Sequence, residues 1–203
     1  MQKKIAVAVA VAAMMAAGSV AAQTADSGVY VGVEGALVTV NSIARPTSNA
    51  VNVSETTDVA ALRALVGYQF NKNFALELGY FATDDMKQSG GVAGSATTYD
   101  LKINTKGTDL AVIYKFTEFL PGLYVKAGAV YSKVSGSVSA RNGSVSASAS
   151  DSVSGTGYLY GLGYEFNVAQ NVGLRVGYTR YEKLGGESDN KANMYSAGVK
   201  YKF

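Results

Sequence analysis

Cysteine and histidine are both absent from this 203-residue chain. Without cysteine there is no disulfide, no thiolate nucleophile and no cysteine-based metal site. Without histidine the commonest general base and metal ligand are missing too. A serine–lysine or paired-carboxylate mechanism is compatible with the composition, but no motif carries one. The chain is therefore read as no enzyme and as needing no cofactor or metal. Tryptophan is absent, and proline occurs only at Pro46 and Pro121, both in expected loops. No run of 18 apolar residues exists, which excludes a transmembrane helix. The formal net charge is only +3, which argues against a nucleic-acid partner.

The N-terminus has the pattern of an export signal. Lys3 and Lys4 precede an apolar run over 5–17, and small residues follow, with Ser19-Val20-Ala21 or Val20-Ala21-Ala22 fitting a peptidase site. As a helix the run would reach about 20 Å, short of the roughly 30 Å needed to anchor in a bilayer core. Residues 1–22 are expected to be a signal peptide and residues 23–203 one domain. Removing Lys3 and Lys4 lowers the formal net charge from +3 to +1.

The mature chain alternates. Segments 29–37, 60–70, 74–81, 110–116, 123–131, 158–166, 172–178 and 195–203 each place apolar residues at every second position, a period of two that marks strands. The opposite faces mix glycine with charge: Glu34, Arg63, Glu77, Asp109, Lys115, Lys126, Glu165, Arg175 and Lys200. A soluble sandwich, the alternative, would turn its apolar face inward and carry its charge outside. Glycine beside long charged side chains instead suits the narrow lumen of an eight-stranded barrel. The expectation is all-β: an eight-stranded antiparallel up-and-down transmembrane β-barrel, apolar outside and polar inside.

Connectors agree with this. Segments 71–73, 117–122 and 167–171 are short; those near 39–57, 82–98, 133–156 and 182–191 are long and polar. Aromatics crowd the short turns (Tyr68, Phe70, Phe74, Tyr114, Phe116, Phe119, Tyr164, Phe166, Tyr201 and Phe203), and Tyr80, Tyr131, Tyr158 and Tyr178 suit a second girdle. The stretch from Gly67 to Tyr80 (GYQFNKNFALELGY), the strand–turn pattern and the terminal Phe203 resemble the small eight-stranded outer-membrane barrels, the family of the OmpA transmembrane domain and OmpX. The resemblance implies a bacterial outer-membrane location in a Gram-negative cell. It implies contact with outer-membrane lipid and lipopolysaccharide, and an assembly machinery that reads Tyr201 and Phe203. Enzymes of this kind rely on histidine, which is lacking here. The chain departs from the family in having no tryptophan in its girdles. No peptidoglycan-binding domain follows Phe203, so a cell-wall tether is not implied.

One loop stands out. Residues 133–156 alternate serine with Val, Ala or Gly around Asn142-Gly143, a strong hairpin turn signal. The expected hairpin pairs Arg141 with Ser144, Leu123 with Leu162 and Val125 with Tyr160. Ser139, Arg141, Asn142, Gly143, Ser144 and Asp151 form its expected binding surface, for host or neighbouring surface proteins, by strand addition at its open edges. In the fourth strand the apolar frame changes from odd positions (Tyr99, Leu101, Ile103) to even ones (Leu110, Val112, Tyr114), which suggests a bulge near Lys106-Gly107. The lumen charges are read mainly as a paired structural network, with Glu165 and Arg175 as diagonal partners. Two functions follow: a surface-interaction, adhesin-like role, or a narrow channel for ions or small solutes.

Overall fold

The computed structural model describes residues 26–40, 50–55, 58–92, 97–143 and 145–203. The expected signal peptide and Ser144 lie outside them. Ten strands are present: β1 (Gly28–Val40), β2 (Ala50–Glu55), β3 (Asp58–Gln69), β4 (Phe74–Thr83), β5 (Met86–Val92), β6 (Thr97–Lys115), β7 (Leu123–Asn142), β8 (Val145–Asn167), β9 (Val172–Glu182) and β10 (Lys191–Lys202). Eight of them close an antiparallel barrel in the order β1-β3-β4-β6-β7-β8-β9-β10, with β10 returning to β1. These are the eight expected from alternation. β2 and β5 arise within the expected long loops and extend the sheet above the barrel, β5 on β6 and β2 on β5.

The alternation sets which way each face points. Leu37, Leu62, Leu78 and Leu110 are about half exposed on the lipid side, while Glu34, Arg63, Glu77 and Asp109 on the same strands are buried inside. Short turns close one end. At the first, the Asn71 side chain accepts the amides of Asn73 (2.9 Å) and Phe74 (2.8 Å), a local bond that asparagine supplies well. Aromatic edge-to-face pairs ring this end: Tyr68–Phe70, Phe74–Tyr114, Tyr114–Phe116 and Tyr201–Phe203, each at 5.1 Å.

The other end does not stop at the membrane. β6, β7 and β8 run on as one sheet, with β7 paired to β6 from Lys115↔Tyr124 to Thr97↔Asn142. The β6–β7 ladder runs without a register shift, so the expected bulge near Lys106-Gly107 is not in β6; the irregularity lies opposite, where residues 83–85 between β4 and β5 face two residues of β6, between Ala82↔Lys106 and Met86↔Ile103. The change of apolar frame has another cause. Below, the outward positions meet lipid and are apolar. Above, Tyr99, Leu101 and Ile103 continue the inward row of Asp109, and the outward row becomes Lys106, Asn104 and Lys102. One straight strand passes from lipid into water, and its greasy side swaps accordingly.

The expected hairpin exists in a different register. Asn142 pairs with Val145, Val125 with Leu162 and Leu123 with Tyr164. The turn therefore falls between Asn142 and Val145, with Gly143 at φ +57°, in the left-handed region glycine adopts freely. The shift is two residues. Because side chains repeat every two residues, facing is unchanged, and the hydrophobic pattern could not tell the two registers apart.

Candidate functional site

Every strand of the barrel sends a polar side chain into the lumen, and these meet in two groups. In the central group Arg63 on β3 is fully buried. It forks onto Asp109 of β6 (Nε–Oδ2 3.1 Å, Nη2–Oδ1 2.7 Å) and donates through Nη1 to Glu34 of β1 at 3.1 Å. Its Nη2 also lies 3.6 Å from Glu77 Oε2 of β4. Arg175 on β9 donates to Glu77 Oε1 at 2.5 Å and to Tyr124 Oη of β7 at 2.8 Å, and its guanidinium stacks 4.3 Å over the Tyr124 ring. Tyr30 donates to Glu77 at 3.0 Å and Tyr181 to Asp109 at 3.4 Å. Lys126 of β7 is buried beside them as the third cation. Three carboxylates thus face three cations, so the group is neutral. Planar guanidinium forks suit such bidentate, desolvated pairing. Gly79 makes room for it: a Cβ there would come within 2.6 Å of Arg63 Nη2.

The second group lies nearer the short turns. Glu165 of β8 accepts from Lys115 of β6 at 3.1 Å and from Lys200 of β10. Lys115 also donates to Gln69 at 3.3 Å, and the Lys200 ammonium sits 4.6 Å from the Tyr30 ring centre. This group borders a pocket of about 680 Å³ at the lower mouth, which Gln69, Asn171 and Phe203 also line.

All nine lumen residues expected from sequence are inside. The proposed Glu165–Arg175 partnership is corrected. The two stand directly opposite in the register, yet Glu165 turns to the two lysines and Arg175 to Glu77, Glu34 and Tyr124. A register with Phe166 opposite Val172 would set them diagonally; Phe166 instead faces Leu174. Tyr30, Tyr124 and Tyr181 complete the network and are not among the residues expected from sequence; their inward parity is the available signal.

Above the charges an apolar layer fills the upper mouth. Phe81 packs on Tyr181 at 5.1 Å, with Val130, Met194 and Leu184 buried alongside. Leu184 belongs to a 3-10 turn (Leu184–Gly186) between β9 and β10. The neighbouring Gly185 amide donates to Ser132 Oγ at 2.8 Å, fastening this turn to the base of β7.

Beyond it stands the projecting sheet. β9 pairs with β8 no higher than Tyr158↔Glu182, whereas β7 pairs with β8 to Asn142↔Val145. Residues 145–154 of β8 therefore have one edge on β7 and one without a strand among the described residues. Ser139 and Arg141 face outward from β7 and are exposed; Asp151, opposite Gly136, is exposed on the other face. The expected hairpin residues thus divide between two faces.

No curated protein matches the chain. Among solved structures, it is similar to OprG of Pseudomonas aeruginosa, with 15% identity over 88% of this chain and 97% of that one and a TM-score of 0.50, a likeness of fold. It also matches the Yersinia pestis attachment invasion locus protein Ail (17% identity, 88% and 98% covered, TM-score 0.48) and the neisserial surface protein NspA (22%, 87% and 99%, 0.45). The model of the outer membrane protein beta-barrel domain matches residues 7–203, so the chain belongs to that family and to the bacterial outer membrane.

Proposed function

We propose that this protein is a non-enzymatic surface-interaction protein whose projecting sheet binds a partner by strand addition. The observation that carries the reading is the edge of β8 over 145–154, with regular strand backbone, no strand beside it but β7 among the described residues, and the Leu184–Gly186 turn only at its foot by Val153. Such an edge offers alternate amides and carbonyls to an incoming strand, and its serine and alanine side chains leave the approach open. The partner is a host or neighbouring surface protein that supplies an extended segment. The channel reading loses support because neutral, cross-bonded charges and a buried apolar layer occupy the lumen. Deleting residues 136–153 tests the proposal. Binding of whole cells to host cells or matrix should fall while the barrel stays folded and inserted. Unchanged binding would refute it.

A further inference from the structure

The two charge groups of the lumen differ in balance. The central one sets three carboxylates against three cations. The lower one does not balance: Lys115 and Lys200 both direct their ammoniums at the same oxygen, Oε1 of Glu165, so two cations share one anion. Their side chains are only 15% and 6% exposed. An excess charge so poorly hydrated is costly until a second anion joins it. Arg175, directly opposite Glu165, is a further cation and is held by Glu77, Glu34 and Tyr124. Lys115 uses two of its three ammonium hydrogens, on Glu165 and Gln69.

This excess faces open space, the pocket of about 680 Å³ at the lower mouth. Among the described residues that line it, Glu165 is the one acidic side chain, against Lys115, Lys200 and Lys202. Counting the main-chain carboxylate of Phe203 at the rim, three cations still face two anions. The register explains the opening. Lys200, Gly173 and Asn167 form one row across β10, β9 and β8, and Glu165 stands two residues further in along β8. A Cβ at Gly173 would lie 3.3 Å from Asn167 Oδ1, 3.7 Å from Glu165 Cγ and 3.8 Å from Lys200 Cε, so glycine leaves the space in front of Lys200 unfilled. Tyr30 and the central group stand behind it. The mouth with the short turns faces the periplasm.

We propose that the lower mouth binds the carboxylate end of a short periplasmic peptide. The carboxylate accepts from Lys115 and Lys200 beside Glu165 and brings the group to two cations and two anions, through charge-assisted bonds. A single excess positive charge matches a monovalent carboxylate better than a doubly charged phosphate. Asn167 and Gln170 line the pocket further out, and their amides both donate and accept, as the peptide groups behind the carboxylate require. The volume falls within the roughly 300–1,000 Å³ of small-ligand sites.

The test uses the folded full chain in zwitterionic detergent at neutral pH and low salt, titrated by calorimetry with N-acetyl-trialanine and with its C-terminal amide. Wild-type protein should bind the acid and not the amide. Lys115→Gln and Lys200→Gln each leave one lysine paired with Glu165, a neutral group. Each should weaken binding of the acid about tenfold or more, the loss of one charge-assisted bond. Glu165→Gln removes the competing carboxylate and should tighten binding. Gly173→Leu sets a side chain in front of Lys200 without changing a charge and should abolish it. Mobility on unheated gels checks the fold of every variant. Lys72→Gln, at an exposed turn of the same end, should bind as wild type does. If wild-type protein binds neither form or both alike, if a Lys115, Lys200 or Gly173 variant binds like wild type, or if Glu165→Gln binds more weakly, the proposal fails. If equimolar inorganic phosphate displaces the peptide, the mouth is a general anion site and the peptide assignment falls.

Discussion

Arg63 touches three carboxylates carried by three strands, and no water-facing route is left for its charge. Removing it takes from Asp109 its cation and from Glu34 the nearer of two, in a buried site of the lumen. Arg63→Met should therefore cost about 3–5 kcal/mol, the range for breaking a buried pair, read by urea unfolding in lipid vesicles; Asp109→Asn added to it should recover part of the loss. A double-mutant cycle on Glu77 and Arg175 should give a large coupling energy, because they bond at 2.5 Å. The same cycle on Glu165 and Arg175 should give a smaller one, since each answers to other partners. Reversed magnitudes would overturn the assignment. Parity told which residues face inward, since position i and i+2 share a face whatever the register. It could not tell which would meet: Glu77 and Arg175 come from opposite sides of the lumen, 98 positions apart, a distance no strand-neighbour argument spans.

At the scale of the element, the β7–β8 hairpin depends on its turn and on its footing. Gly143 holds φ +57°. A β-branched residue there costs about 1–2 kcal/mol in the left-handed region. Gly143→Val should therefore speed amide exchange at the hairpin tip while leaving the lower ladder near Leu123↔Tyr164 untouched. Gly143→Asn should be milder, because asparagine tolerates that region. Equal effects of the two would place the strain elsewhere. The footing is the Leu184–Gly186 turn bound to Ser132, which gives the hairpin a packed base that an isolated pair of strands lacks. Serine alternation and the Asn142-Gly143 signal revealed the hairpin in sequence. They missed its register by two residues because the turn falls between Asn142 and Val145 instead. The bulge inferred in β6 failed for a related reason: a change of frame reads alike whether the strand kinks or its surroundings change.

The whole molecule is a sealed barrel bearing a sheet. Central charges bind β1, β3, β4, β6, β7 and β9 to one another, and the Glu165 group adds β8 and β10. Planar-bilayer recording on purified protein should therefore show no stable single-channel steps. Regular conductance would mean the plug opens. Deleting Phe203 should reduce outer-membrane assembly more than stability in detergent, because its ring is one of many in the girdle; normal surface levels of the truncated protein would contradict this. Fold and location were legible because lipid outside and a narrow lumen inside impose the same alternation on every strand. β2 and β5 were not, since their short segments lack that two-sided constraint.

Amide hydrogen exchange across the hairpin in lipid tests the central claim most directly. In an antiparallel edge strand every second amide bonds its one neighbour, and the rest point to the open side. Without a partner, residues 145–154 should alternate between slow and fast exchange, while residues 133–141 of β7, bonded on both sides, should be slow throughout. Fast exchange along the whole of 134–154 would show no projecting sheet, and uniformly slow exchange on β8 would show no open edge; either result contradicts the account.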